Sequence, residues 1–526
     1  MSDPANAATG RAFPDILSRS AIKIDRVVIT STVRIPIKPW QIVSSPSRTV
    51  MALLTNIPLD DLYTRLAPIT VPPSTSRGKF SNWGQTFHCT PLAIFEPEDE
   101  YQCELILELA RREKKVVRAA GIGHSPSDIA CTKEFMLRTQ KLNRVLSVNV
   151  EKRTATVQAG ITLNELHAHL ADHGLAMMNV GSISDQTVGG IVTTATHGSG
   201  VTYGVISTHV MSLKLLLADG TYVTCSRHER PDLFVASICG LGTTGLILNV
   251  ELEVEPAFRL KEVAITQPFE DVIQNLDEIA HAAEHVRLAW IPAADRIRVG
   301  LMNRTREEKT PAGSWFSEVF LGFYVLEFIL FVGRFFSSAN NFAGLLFCWL
   351  SGSKSVRVDD SHRVFNLDCL FLQYTTEWAI PYTRSQACLR ELHSWLSQEY
   401  GDPNGLRPHF PIEIRFSAAD DIWLSPSQGQ KTCWIGIVQF KPYGLYVPYK
   451  KLFDGFETIL ARHGGRPHWA KAHSLRREKL RSLYPHFDDF IRVLEDVDPR
   501  GLFRNEYIRR HFFDGQADGR IFKLRQ

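Results

Sequence analysis

V-V-R-A-A-G-I-G-H-S-P-S-D, Val116 to Asp128, runs a β-forming segment straight into a glycine turn. At Gly121-Ile122-Gly123 the missing side chains let consecutive backbone N–H groups curl around an anion, and Ser125 and Ser127 add hydroxyl donors. The turn lacks the third glycine of a Rossmann fingerprint, and Pro126 with Asp128 favours an extended turn over a helix start. Phosphate binding fits this composition, although taken alone a G-x-G turn is more often merely tight.

Two more loops of the same texture follow. N-V-G-S-I-S-D-Q-T-V-G-G-I-V-T-T-A-T-H-G-S-G, Asn179 to Gly200, combines repeated glycines with a dense run of Ser and Thr. That composition suits close approach of the backbone to a large polar ligand, a diphosphate for example; the plainer alternative is a glycine-rich hairpin with His197 as a core histidine. C-G-L-G-T-T-G, Cys239 to Gly245, then leads into a strand over Leu246 to Glu253. Three such loops in one domain favour a dinucleotide over a mononucleotide.

Outward from these loops, Ala93 to Pro97 and Lys115 to Ala120 read as strands around a helix over Glu98 to Lys114, and Thr154 to Ala159 alternates as a strand. Thr162 with Glu165 forms a capping box for a helix whose Leu163, Leu166 and Leu170 make an apolar face and which Gly174 stops. The expected fold class is α+β in two domains, 77–256 and 257–526, preceded by a poorly structured extension over 1–76. Ile22 to Ile35 is β-like without a clear partner, and a better-patterned run opens at Met51; the first fifty residues read as a loosely attached extension, either a presequence or an overlong gene model. In the second domain strands are expected at Glu262 to Gln267, Arg296 to Met302, Pro411 to Ser417 and Cys433 to Phe440. Helices are expected at Glu270 to His285, Thr383 to Tyr400, Tyr449 to Arg462 and Leu475 to Leu494.

The 526 residues are 44% hydrophobic and 22% charged, the make-up of a globular chain with room for a large core. Fifty-nine basic against fifty-six acidic side chains give a net charge of +3, which argues against a nucleic-acid partner. Nine scattered cysteines with no C-x-x-C pair argue against a disulfide framework and a structural zinc site, so no metal is expected. His169 and His173 stand four apart on the capped helix without a third ligand and read as a solvated face. No basic n-region with an apolar stretch opens the chain, so secretion is not expected. The most apolar segment, Trp315 to Leu350, is broken by Glu318, Glu327 and Arg334 and has no uncharged run long enough to span a bilayer. It reads either as a buried helical hairpin or as an interfacial helix pair on a membrane surface.

Together, G-I-G-H-S-P-S-D, V-Q-A-G-I-T-L-N-E-L, G-S-I-S-D-Q-T-V-G-G, A-T-H-G-S-G and C-G-L-G-T-T-G resemble the FAD-binding domain of the vanillyl-alcohol-oxidase type, also called PCMH-type. Within it, W-G-Q-T-F-H-C-T-P, F-P-I-E-I-R-F and H-W-A-K resemble the sugar-1,4-lactone oxidases, fungal D-arabinono-1,4-lactone oxidases most closely, over about residues 78 to 526. The resemblance implies FAD carried covalently on His124. It implies further FAD contacts at Gly121, Ile122, Gly123, Ser125, Pro126, Gly181, Ser182, Asp185, Thr187, Gly189, Gly190, His197, Gly198 and Ile247. Related dehydrogenases carry leucine in place of His124 and alanine in place of Gly181, so this chain's residues point to dioxygen as acceptor rather than cytochrome c.

Glu413 and Arg415, at i and i+2 on a strand, project to one face, where they can orient a hydroxylated lactone; an ordinary cross-sheet ion pair is the structural alternative. Lys471, in H-W-A-K with alanine where the pattern has glycine, is implied to meet the reacting hydroxyl or negative charge on the flavin. The resemblance thus implies oxidation of the C2 hydroxyl of an aldono-1,4-lactone by O2, with H2O2 as co-product and an ascorbate-type enediol, D-erythroascorbate for the arabinonolactone. The rival expectations are a cytochrome c-linked dehydrogenase, an oxidase of another sugar or polyol, and a flavin-free interaction scaffold. Fungal members of the subfamily are associated with mitochondrial membranes, which sets the expected location.

Overall fold

The computed structural model describes residues 54, 56–311, 316–367, 371–513, 522 and 523, with side chains 316–319 excepted. The β-like stretch Ile22 to Ile35 lies outside them. Three sheets of four or more strands organise the described residues, beside two two-stranded ones. The first orders the strands Thr70–Val71, Ala93–Phe95, Phe135–Arg138 and Val117–Ala120, the last three parallel. Its crossover helix Glu100–Glu113 is capped by Asp99, whose side chain accepts from the Gln102 N–H, and ends at Lys114 in the left-handed region. A second, antiparallel sheet orders Tyr222–Ser226, Val210–Leu216, Leu246–Glu253, Thr154–Gln158 and Val145–Asn149. Beside it lies the helix Leu163–Asp172, with the Thr162–Glu165 capping box formed reciprocally and Leu163, Leu166 and Leu170 buried.

The third sheet has eight strands, in the order Lys354–Asp360, Arg259–Pro268, Arg296–Thr305, His285–Ile291, Ile412–Ser417, Thr432–Phe440, Gln373–Pro381 and Arg466–Pro467, all pairs antiparallel. Helices Ser385–Gly401 and Lys450–Arg462 cover one face through Leu389, Leu392, Leu396, Phe456 and Leu460.

Four expectations change. The stretch up to residue 76 is not loose throughout: helix Leu59–Leu66 buries Leu62 and Leu66 in the core that holds helix Glu100–Glu113, and Thr70–Val71 pairs with Ile94 and Phe95. Each buried leucine contributes about 1.5–3 kcal/mol, enough to anchor so short an element. Helix Glu270 to His285 is two short helices, Phe269–Gln274 and Leu276–His281, parted at Asn275, and His285 instead opens a strand. The Asn275 side chain donates to the Asp271 carbonyl at 2.9 Å, a local bond that competes with helix continuation. Leu475 to Leu494 likewise divides into Arg477–Leu483 and Phe487–Val497 around Pro485, which has no N–H to give a continuous helix.

The fourth change concerns the division at Pro256, which parts the sheets but not the core. The C-terminal helices return to the first two sheets: the Val117 N–H donates to the Leu502 carbonyl at 2.8 Å, and Asn505 donates to the carbonyls of Ile129 and Cys131. Trp469, Tyr484, Phe487 and Phe512 share a cluster with Ile161 and Val250. Arg510 makes a buried two-pronged pair with Asp128 at 2.7 and 2.8 Å, tying the last helix to the first glycine loop.

The apolar segment forms a wide π-type helix Phe316–Val325, a short α-helix Leu326–Val332 and a longer one Ser337–Ser351. One side packs Leu326, Leu330 and Ala343 on Ile291, Phe410 and Phe440. The other is open, with Phe335 66% and Trp349 72% exposed and Phe328, Phe336 and Phe342 exposed beside them. A fully buried hairpin is therefore excluded for the described part of this segment. No described helix is long and apolar enough to cross a membrane.

Candidate active site

The glycine loops and the eight-stranded sheet enclose one cleft of about 440 Å³. On one side, Gly121 passes so close to Thr187 that a Cβ would collide with its hydroxyl, and Gly190 has the same hydroxyl 3.1 Å from where its Cβ would stand. Gly123 holds φ at +89°, with the Phe80 ring 3.1 Å from a would-be Cβ. Side chains at these positions would fill the cradle, so the bare backbone there is a requirement of the packing.

His124 follows directly, its ring stacked on Trp83 at 5.7 Å between centroids. Its Nδ1 is buried and has no hydrogen-bond partner among the described residues. Burial pushes the His124 pKa down, against the pull of Asp185 and with the help of Lys471. A neutral imidazole with an unengaged buried nitrogen, facing a cradle too tight for side chains, fits a flavin attachment point.

Across the cleft, three adjacent strands present alternate residues to one face. Glu413 and Glu377 both stand opposite Gly436, which leaves a notch between the two carboxylates. Arg415 reaches the Ser182 hydroxyl of the second glycine loop and donates to Glu413 Oε2 at 3.0 Å. The pair is thus both an ion pair and part of the cleft wall, so the two readings of E-x-R are not exclusive. His197 lies flat on Trp434 at 3.8 Å, its Nε2 3.2 Å from Glu377 Oε1. Lys471 Nζ lies 3.6 Å from Glu377 Oε2. Burial alone would raise the Glu377 carboxyl pKa, but the charges of His197 and Lys471 and the hydrogen bond from His197 outweigh it and hold the group well below the usual carboxylate range.

The structure brings Gly121, Ile122, Gly123, His124, Ser125, Pro126, Gly181, Ser182, Thr187, Gly190, His197, Glu413, Arg415 and Lys471 to this cleft. Four expected contacts do not line it. Asp185 is exposed and accepts from Asn164 at 2.5 Å; Gly189 packs on Ala159; a Cβ on Gly198 would overlap the Asn179 amide; and Ile247 is buried within its strand. Asp185, Gly189 and Gly198 each stand next to a lining residue, Gln186, Gly190 and His197, whereas Ile247 lies on a strand that does not reach the cleft. Glu377 and Trp83 were missed. An acid in the middle of Q-Y-T-T-E-W-A-I-P, a run of β-formers, is the signal that marks Glu377.

Residues 91–226 match the family described as FAD binding domain, and residues 250–511 the family described as D-arabinono-1,4-lactone oxidase. An L-gulonolactone oxidase of Scyliorhinus torazame is 39% identical over 83% of this chain and 98% of its own. A putative D-arabinono-1,4-lactone oxidase of Neurospora crassa is 30% identical over 84% of this chain and 87% of its own. Among solved structures, the His121Ala mutant of cholesterol oxidase from Brevibacterium sterolicum superposes with a TM-score of 0.71 at 14% identity, covering 85% of this chain and all of that one, a likeness of fold. With these two matched regions on either side of one cleft, the chain belongs to the sugar-1,4-lactone oxidase and dehydrogenase family of FAD-dependent oxidoreductases.

Proposed function

We propose that the protein oxidises the C2 hydroxyl of an aldono-1,4-lactone, D-arabinono-1,4-lactone in the first instance, with FAD attached to His124 and O2 as final acceptor. The observation that carries this reading is the convergence of His124, Arg415, Glu413 and Lys471 on one cleft. A flavin held there by the glycine loops and His124 would supply the acceptor for the hydride of C2 and the route by which O2 takes the electron pair as H2O2. The chain's own residues hold and polarise the lactone. Glu413 accepts a hydrogen bond from a ring hydroxyl, while Arg415, fixed by Ser182 and Glu413, donates to oxygen on which negative charge grows. Lys471 adds a second cation for the reacting oxygen or the flavin. The hydroxyl proton passes to solvent as the C–H bond breaks, matching the proton that O2 takes up in becoming H2O2, and the 2-keto lactone relaxes to its enediol, D-erythroascorbate for this substrate.

Gly181 supports O2 as acceptor: it lines the cleft, and a methyl there would stand 3.2 Å from Thr196 Cγ2 and crowd this part of the wall. The higher identity to an L-gulonolactone oxidase favours L-gulono-1,4-lactone as a second substrate reading. The exposed aromatic face of the hairpin supports peripheral attachment to a membrane, which the resemblance assigns to mitochondria. Denaturing gel fluorescence tests the attachment: flavin should stay with the wild-type band and be lost from His124→Ala, and release from both would overturn it. Turnover of a panel of 1,4-lactones, with oxygen uptake and peroxide measured against cytochrome c reduction, decides substrate and acceptor.

A further inference from the structure

The turn over residues 82–86 supplies Trp83 and Gly84 to the cleft wall and is held by different partners at its two ends. On the cradle side the buried Asn82 amide donates to the Ser125 carbonyl at 3.1 Å and accepts from the Thr86 and Phe87 N–H groups at 2.8 and 2.9 Å. The Trp83 N–H donates to the Gly123 carbonyl at 2.8 Å. Gly123 and Ser125 flank His124, so these bonds fix where the turn begins. On the sheet side, Lys441 Nζ donates to the carbonyls of Gly84 and Gln85 at 3.1 and 2.9 Å. Gln85 sits at φ +49°, a left-handed conformation that a residue with a Cβ adopts only when held. A Cβ on Gly84 would stand 2.8 Å from the Gln373 carbonyl oxygen, so the turn is pressed against the neighbouring strand.

Lys441 is buried and makes no ion pair among the described residues; the two carbonyls stand in for a counterion, with the Tyr374 ring 5.4 Å from Nζ. An ammonium held out of water costs stability unless its hydrogen bonds are made, which directs this side chain at the turn. Its own backbone is fixed as well, the Lys441 N–H donating to the Leu372 carbonyl at 2.6 Å. The His124 ring, by contrast, makes no hydrogen bond among the described residues. Packing sets its orientation, and the ring stacked on it is Trp83, 22° from parallel. A line of contact therefore runs from Lys441 through the backbone after Trp83 to the Trp83 ring and on to His124.

We propose that Lys441 is a positioning residue for attachment of the flavin, holding the turn so that Trp83 keeps His124 in the orientation the bond requires; this rests on the reading that His124 carries the flavin. Attachment exchanges the His124 N–H and one C–H of a methyl group on the flavin ring for a C–N bond. The electron pair released goes through the flavin to O2, which leaves with the two protons as H2O2. Such a step needs the nitrogen aimed at the carbon, and a misplacement on the order of 1 Å costs about a hundredfold in rate.

The test compares the flavin that stays with acid-precipitated protein against total flavin in freshly purified holoprotein, with His124→Ala as the zero. Lys441→Met keeps the chain length and removes the donors. Its covalent fraction should fall by at least about threefold while total flavin stays within about twofold of wild type, and Lys441→Arg should restore part of the loss. Trp83→Ala should show a similar fall, and the double variant should lose no more than the worse single one, since both changes cut the same line of contact. A folded Lys441→Met with the wild-type covalent fraction overturns the proposal, as does a double variant whose losses multiply. Should Lys441→Met not fold, Trp83→Ala decides: an unchanged covalent fraction there leaves Lys441 nothing to act through and overturns the proposal. Flavin wholly released from wild type would instead defeat the attachment reading, and the proposal with it.

Discussion

At Glu413 and Arg415 two roles meet in one pair of side chains. Arg415 is buried, bonded to Ser182 from the glycine-loop side and to Glu413 from its own strand, so it is held in place before any substrate arrives. Replacing either residue by alanine should lower lactone turnover by about 100-fold or more while flavin content stays near wild type, since a preorganised donor contributes on that scale. Absorbance of the purified variants beside their kcat checks this, and equal loss of both quantities would mark the pair as structural. Glu457, away from the cleft, makes a different prediction. Burial pushes its pKa from 4.5 up to about 7, only partly offset by the hydrogen bond from Thr376. For a carboxyl raised on folding, the unfolded chain ionises first as pH rises, so stability falls between about pH 4.5 and 7 and then levels off. Glu457→Gln should remove that loss, raising stability by about 3 kcal/mol at pH 8 and hardly at all near pH 4.5. Denaturant midpoints at the two pH values read this directly.

Among the elements, the helix Leu59–Leu66 shows how little sequence is needed to tie a terminus down. Leu62 is fully buried against the helix Glu100–Glu113, so Leu62→Ala should cost about 2–5 kcal/mol of stability, measured by urea unfolding, with flavin binding intact below the transition. A cost near zero would mean that the helix is a bystander. The helix Leu163–Asp172 was legible to the residue, because its cap and apolar stripe are local codes read within one turn. The two interrupted helices were not. A competing Asn275 side-chain bond and Pro485 each act at one position, while the apolar periodicity on either side continues unbroken.

On the scale of the molecule, the exposed aromatic face at Phe328, Phe335, Phe336, Phe342 and Trp349 lies on the hairpin whose Phe347 reaches the cleft. A membrane docked there would lie beside the active site without being crossed by any described helix. Changing Phe328, Phe335 and Trp349 together to serine should abolish flotation with liposomes and leave lactone turnover in detergent-free buffer unchanged. Unchanged flotation by the folded variant would defeat the attachment. The same scale carries the return of the C-terminal helices, through which Arg510 holds Asp128 at the end of the first glycine loop.

By itself the sequence determined the glycine cradle, the histidine that follows it and the E-x-R strand, because each is a short motif whose spacing along the backbone is its geometry. It also determined most strands and the capped helices, whose signals are equally local. Only the tertiary structure decided that Glu377 belongs to the cleft, since its partners His197 and Lys471 lie on other segments and no spacing along the chain relates them. Folding likewise decided that Asp185, Gly189, Gly198 and Ile247 are not among the residues lining the cleft, and that residues after 470 complete the first domain's core. Contacts between distant segments are chosen by burial and charge pairing in three dimensions, and those choices leave no periodic trace in the chain.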